Sequence, residues 1–482
     1  MQVYQMFING VWVNSSDGKT INDVDPSNGE CWAKIQCATP KDVENAVESA
    51  KSAFSGWSSL TYYQRASYLK NFVNELKKED TKYKIALTET TSWGRQIANS
   101  LKAVNTAIRY TEFFIHAPDM LKTNVNITDS SDIFNYELRE PLGVIAAIIP
   151  WNSPVTASVE VLMPAIIMGN TIVIKPSEFG STPILEILRL FEKIGLPRGV
   201  INVITGDSLT GQTLISNPNI SKIYFSGSIE VAKNIAKIAS QNIIPCLFEL
   251  GGKSPNIIFS DCDSEKAVDG ASIVFRNNGQ TCLSPSRLLL QKSIYNDFLE
   301  KLVAKCKNIR IGSPLQEESE FGPLGTKLQL EKTIHYVEIG KKEGATEILS
   351  DKDFDKSNVN PNGFYFGPTI FADVKNNMRI AREEIFGPIL SVIPFEDEME
   401  AIKIANDTKF GLTAGIWTKN LDRAHHVSRH LQAGIVWINT YHETFIQVPY
   451  GGYKQSGFGK IRGIEGLLEF SQKKNVIMKL KT

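Results

Sequence analysis

From Leu142 to Leu250 the chain alternates short apolar runs rich in Val and Ile with segments of helix length, and this pattern restricts its fold more than any other feature. The runs fall at 143–149, 171–174, 200–204, 223–225 and 246–250, with helices expected at 183–194 and 229–240. Runs of this kind belong to a parallel sheet covered by helices, where ligands sit beyond the carboxyl ends of the strands. A nucleotide is the expected occupant. A second alternating region begins after about Ser260, with runs at 288–290, 389–392, 415–417 and 436–438.

Upstream, Thr39-Pro40-Lys41-Asp42 reads as a helix start, with Thr39 as cap, Pro40 in the first turn and Asp42 at the positive end. Val43, Ala46, Val47, Ala50, Phe54 and Trp57 then make one apolar face, and Ala66, Leu69, Phe72, Val73 and Leu76 make another over 64–78. The polar stretch 352–363 reads as an exposed loop. The tail at 475–480 alternates like a strand and needs a partner, for which a second subunit is one source.

Length and charge narrow the classes. At 482 residues the chain has room for about three folding units. It carries 52 basic and 52 acidic residues, so no global field draws it to a phosphate backbone or an anionic membrane. Nucleic acid and membrane partners are therefore not expected. The six cysteines are scattered without the spacing of a disulfide framework or a zinc module, which predicts a reducing compartment and no metal. No secretory signal is readable at the start, and the apolar region 142–174 is broken by Pro150, Pro154, Glu160 and Pro164. A cytoplasmic protein is expected.

Several segments carry candidate chemistry. Cys282, in Asn277-Asn278-Gly279-Gln280-Thr281-Cys282, lies among small and polar residues instead of inside an apolar run, and cysteine is the best side-chain nucleophile near neutral pH. Glu249 closes an apolar strand ahead of Gly251 and Gly252, a placement suited to activating a thiol or a water. Asn152, in Pro150-Trp151-Asn152-Ser153-Pro154, ends another strand with an amide donor of the kind that stabilises an oxyanion. A third strand ends in Lys175-Pro176-Ser177-Glu178. Taken singly, each of these also reads as a turn, a cap or a buried thiol.

Together, and with Phe7-Ile8-Asn9-Gly10, Phe225-Ser226-Gly227-Ser228, Glu383-Glu384-Ile385-Phe386-Gly387-Pro388 and Pro449-Tyr450-Gly451-Gly452-Tyr453-Lys454-Gln455-Ser456-Gly457, these segments resemble the aldehyde dehydrogenase superfamily over nearly the whole chain. The resemblance implies an α/β fold of two doubly wound, Rossmann-like domains plus a small β oligomerisation arm. Residues 1–122 and 142–250 would form the NAD-binding domain, 251–455 the catalytic domain, and 123–141 with 456–482 the arm. A homodimer or homotetramer is implied.

It also implies roles. Cys282 would attack the aldehyde carbon, with the oxyanion held by Asn152 and the Cys282 amide, and Glu249 would activate the water that hydrolyses the thioester. Relatives that pass the acyl group to coenzyme A often lack that glutamate, so the presence of Glu249 favours the free acid. Lys175 and Glu178 would meet the adenosine ribose, Ser228 with Gly227 the pyrophosphate, and Glu384 with Phe386 the nicotinamide ribose. Ile148, Pro150, Trp151, Ser177, Phe225, Leu250 and Gly251 complete the expected cofactor site. A carboxylate at Glu178 accepts hydrogen bonds from a 2′-hydroxyl and repels a 2′-phosphate, which favours NAD over NADP.

One departure is plain: many relatives have a glutamate where this chain has Ile461, and isoleucine cannot relay a proton. The helix after Asn152 presents Ser153, Thr156, Ala157 and Glu160 where large apolar residues are common among relatives acting on simple aldehydes. With Tyr441, Phe445 and Tyr450 as aromatic walls, Glu160, or Glu443, is a candidate to hold an ammonium group, as for an aminoaldehyde or betaine aldehyde. The alternatives are a solvent-facing Glu160 with neutral aliphatic or aromatic substrates, and a catalytically silent relative that keeps the fold.

Overall fold

A computed structural model describes residues 1–480; residues 481 and 482, which close the expected arm, lie outside the described residues. The five runs become strands Val144–Ile149, Thr171–Pro176, Ile201–Val203, Ile220–Gly227 and Cys246–Leu250, parallel to one another at the centre of an eight-stranded sheet. Val144–Ile149 is central, with Thr171–Pro176 and then Ile201–Val203 on one side and Ile220–Gly227 and then Cys246–Leu250 on the other. The chain order thus reverses beside Val144–Ile149, and the carboxyl ends of strands at such a switch point are where ligands bind in folds of this kind. Every residue of Thr171–Pro176 is buried, which is why that strand reads as a continuous apolar run.

A seven-stranded sheet follows, with Thr369–Ala372, Ile389–Phe395, Arg287–Gln291, Pro255–Ile258, Thr413–Trp417 and Ile435–Ile438 in parallel and Thr346–Leu349 antiparallel at one edge. It begins at Pro255, earlier than expected, because only two glycines and two polar residues separate Cys246–Leu250 from Pro255–Ile258. Helix Pro40–Ser58 carries the expected cap in reciprocal form: Thr39 N donates to Asp42 Oδ2 at 2.8 Å, and Asp42 N donates to Thr39 Oγ1 at 3.3 Å. Helix Tyr62–Leu76 starts two residues before the expected 64, because Thr61 and Gln64 form the same kind of box.

Two expectations change. The tail strand Ser471–Lys479 finds its partner within the chain, pairing antiparallel with Ile133–Pro141 along its whole length. Gly457–Phe458, expected in the arm, instead pairs with Phe248 and Glu249 at the edge of the eight-stranded sheet. Gly457 makes this possible: its φ is +123°, and a Cβ there would collide with the Phe248 carbonyl. Among the described residues, no helix is long and apolar enough to cross a membrane.

Candidate active site

The nucleophile candidate sits on a loop whose backbone is forced into shape. Asn277 and Asn278 both have positive φ, 49° and 59°, a conformation that asparagine tolerates better than most residues. Asn278 is buried and fully used: its Nδ2 donates to the Pro323 carbonyl at 2.7 Å, while its Oδ1 accepts from Gln96 Nε2 and Gly322 N, each at 2.8 Å. At Gly279 a Cβ would collide with the Gly387 backbone, so the loop packs directly onto the segment after Phe386. This anchoring fixes where Cys282 emerges.

Asn152 lies between Val144–Ile149 and helix Pro154–Ile167, and its Nδ2 donates to the Gln280 carbonyl at 3.0 Å, two residues before Cys282. Glu249 arrives on Cys246–Leu250, and the turn after it lies against the nucleophile, since a Cβ on Gly252 would be 2.9 Å from the Cys282 carbonyl oxygen. The Glu249 carboxyl is buried, and neither oxygen has a hydrogen-bond partner among the described residues. Burial, with Glu160 adding to it, pushes its pKa well above the ordinary carboxylate range, against the opposing charges of Lys460 and Arg462. A buried carboxyl left unpaired in this way is suited to a water that must be deprotonated.

Tyr450 is the addition that the sequence does not announce. Its hydroxyl lies 3.3 Å from Cys282 Sγ, so the residue expected only as an aromatic wall is bonded to the thiol. Burial pushes the thiol up to about 11, while the Tyr450 hydrogen bond pulls it down. Alkylation of Cys282 in the cofactor-free protein is therefore expected to keep accelerating from pH 8 to 10, past the pH at which an ordinary thiol levels off. Tyr450→Phe should slow that alkylation by roughly tenfold at fixed pH, the effect of losing a hydrogen bond to a developing charge. An unchanged rate, measured by mass spectrometry of Cys282, would remove Tyr450 from that role.

The expected cofactor residues gather at the switch point. Lys175, buried, has its Nζ 3.6 Å from Glu178 Oε2, and Ser177 Oγ is 3.5 Å from the same oxygen. Burial lowers the Lys175 pKa and the Glu178 charge opposes that shift. Ser228 caps helix Ile229–Ala239 beside Gly227, where the close Phe225 ring leaves no room for a Cβ. Ile148, Pro150 and Leu250 border the same strand ends. Glu384 folds over the Gly251-Gly252 turn: Gly252 N donates to its Oε1 at 3.1 Å, and a Cβ on Gly251 would collide with the carboxylate. Phe386, with φ of +60°, stands edge-on to Trp151 at 5.7 Å between ring centres.

The substrate expectations fare differently. Tyr441 is buried against Trp437, with rings 4.6 Å apart, and its hydroxyl lies 3.1 Å from Thr413 Oγ1. Phe445 is exposed. Glu160 neither faces solvent nor stands free to hold an ammonium: it is buried, and its Oε1 accepts from Arg462 Nε at 2.8 Å, with Arg462 Nη2 at 2.7 Å. Arg462 directly follows Ile461, which the family resemblance singles out as a departure. A charged residue beside that departure was the available signal.

Residues 12–476 match the family model described as the aldehyde dehydrogenase family. Among solved structures, a putative aldehyde dehydrogenase from Burkholderia cenocepacia is 34% identical, with a TM-score of 0.96, over 99% of this chain and 97% of its own. Betaine aldehyde dehydrogenase from Staphylococcus aureus in complex with NAD+ is 33% identical, with a TM-score of 0.96, over 99% of this chain and 95% of its own. An NAD-dependent aldehyde dehydrogenase from Sinorhizobium meliloti is 34% identical, with a TM-score of 0.95, over 100% of this chain and 95% of its own.

Proposed function

The chain belongs to the aldehyde dehydrogenase family, and from that membership we propose that it oxidises an aldehyde to the carboxylic acid with NAD, using Cys282 as nucleophile and Glu249 as base. The observation that carries this reading is the unpaired, buried Glu249 carboxyl on the strand whose following turn packs against Cys282.

The Cys282 thiol gives up its proton to water and the thiolate adds to the carbonyl carbon, while the Asn152 amide with the Cys282 backbone N–H receives the charge that collects on oxygen. Asn152 is held in place for this by its bond to the Gln280 carbonyl. Bound NAD supplies the hydride acceptor that turns the adduct into a thioester. Glu249 then takes a proton from water, the hydroxide adds to the thioester carbon, and the C–S bond breaks to release the acid and the Cys282 thiolate.

The switch point fits that cofactor. Gly251 leaves the space that Glu384 occupies, and Ser228 offers a helix start, whose free N–H groups favour a pyrophosphate. Glu178, steadied by Lys175, presents a carboxylate suited to a ribose diol. Glu178→Ser is therefore expected to weaken NAD use and improve NADP use, shifting the ratio of their kcat/KM values by roughly tenfold to a hundredfold. An unshifted ratio would place the adenosine ribose elsewhere.

Residues 1–122 and 142–250 act in this reading as the cofactor-binding unit and 251–455 as the catalytic one. The sheet formed by Ile133–Pro141 and Ser471–Lys479 is the assembly arm of a homo-oligomer, supported by its exposed Phe134, Leu138, Ile477 and Met478. All six cysteines are free, which supports work in a reducing compartment such as the cytoplasm. The direct test is NADH absorbance with a panel of aldehydes: NAD binding without turnover of any of them would defeat the oxidation reading.

A further inference from the structure

We propose that Arg462 sets substrate specificity: it fills the aromatic and carboxylate cage beside Cys282 as a resident cation, so the enzyme accepts aldehydes without a positive charge and turns away ammonium-bearing ones. This rests on the oxidation reading above and narrows it to a substrate class.

A cage for an ammonium ligand needs aromatic faces and a carboxylate that are not already taken. Here Glu160, Tyr110 and Tyr450 are all engaged by Arg462. Arg462 bonds Glu160 through Nε at 2.8 Å, with Nη2 at 2.7 Å, and its guanidinium centre stands 4.4 Å from the Tyr450 ring and 5.4 Å from the Tyr110 ring. The hydroxyl of the same Tyr450 reaches Cys282 Sγ, which puts the cage next to the reacting carbon. Burial disfavours the Arg462 charge, but Glu160, Tyr110 and Tyr450 outweigh it and hold the guanidinium protonated.

The backbone is built to deliver this side chain. Tyr450 and Ile461 exchange two N–H to carbonyl bonds, each 2.8 Å, so the residue after Ile461 must emerge beside the Tyr450 ring. Arg462 does so with φ of +65°, a strained conformation for arginine, and Gly463 N secures the turn by donating to the Ile446 carbonyl at 2.8 Å. A cationic substrate would meet like charge at Arg462 and find Glu160 already paired, a repulsive element of the kind that creates specificity.

Betaine aldehyde and its uncharged isostere 3,3-dimethylbutanal differ in charge at nearly constant shape, as do the unreactive alcohols choline and 3,3-dimethylbutan-1-ol. The wild-type holoenzyme is expected to oxidise the neutral aldehyde with a kcat/KM at least about tenfold higher, and the neutral alcohol should protect Cys282 from iodoacetamide at correspondingly lower concentration. Arg462→Met, which frees Glu160, should shift both ratios toward the cation by about tenfold, while Arg462→Lys keeps them. Equal or better use of betaine aldehyde by the wild type, with choline the stronger protectant, would overturn the assignment; so would an Arg462→Met ratio like the wild type's. If Arg462→Met fails to fold, the wild-type ratios decide. If neither aldehyde yields NADH, the oxidation reading fails, and the protection measurement still decides the role of Arg462.

Discussion

Replacing Cys282 with alanine is expected to lower aldehyde-dependent NADH formation by about 10⁴-fold or more, because no other group in the site provides a nucleophile for the carbonyl carbon. The fold should persist. The loop that presents Cys282 is held by Asn278 and Gly279, not by the thiol, whose one polar contact among the described residues is with the Tyr450 hydroxyl. NAD binding, followed by quenching of intrinsic fluorescence, should therefore survive the substitution, since the expected cofactor groups Lys175, Glu178, Ser228 and Glu384 lie on other segments. Retained turnover in Cys282→Ala would remove the covalent mechanism. The other five cysteines give an internal control, because alkylation of the wild type that spares Cys282 should leave activity intact.

Glu249→Gln is expected to separate the two halves of the reaction. Glutamine keeps the shape of a side chain that has no hydrogen-bond partner and removes an unpaired buried carboxyl, so stability should hold or rise. Without the base, hydrolysis of the thioester should slow by about 10²- to 10³-fold. The first turnover should still proceed, giving a burst of NADH of about one equivalent per site and an acyl adduct on Cys282 visible by mass spectrometry. Loss of the burst with NAD binding intact would instead assign Glu249 to deprotonating the thiol, which burial makes a weak acid. The pH dependence carries a sign as well: burial raises the Glu249 pKa, so the base form is gained as pH rises, and the hydrolytic step should accelerate on the alkaline side of the ordinary carboxylate range.

Much of this site is legible in the amino-acid sequence. Asn152, Lys175, Ser228 and Glu249 each stand at the end of an apolar run, and a strand end in a parallel sheet is where side chains reach a ligand. Cys282 is conspicuous because its neighbours are polar and small. The strands are readable where both faces are buried, as in Thr171–Pro176, and unreadable where they are short and mixed, as in the sheet of Gln2–Tyr4, Thr20–Asp25 and Glu30–Gln36. Gly457–Phe458 reads as part of the arm, while the folded chain pairs it with Phe248 and Glu249, because a two-residue edge strand has no periodicity to reveal its partner.

The sequence by itself determined the class of fold and the candidates for the reacting groups, because both are written locally: period and burial in the apolar runs, residue type at the strand ends. Tertiary structure alone decided what those groups touch. Glu160 and Arg462 stand 302 positions apart, and nothing in either segment names the other. Their pairing turns an apparent ammonium cage into one filled from within, because a charge can remain buried only where a distant partner neutralises it. Tyr450 likewise reaches the thiol of Cys282 across 168 positions, and only the folded chain brings the two within hydrogen-bond distance.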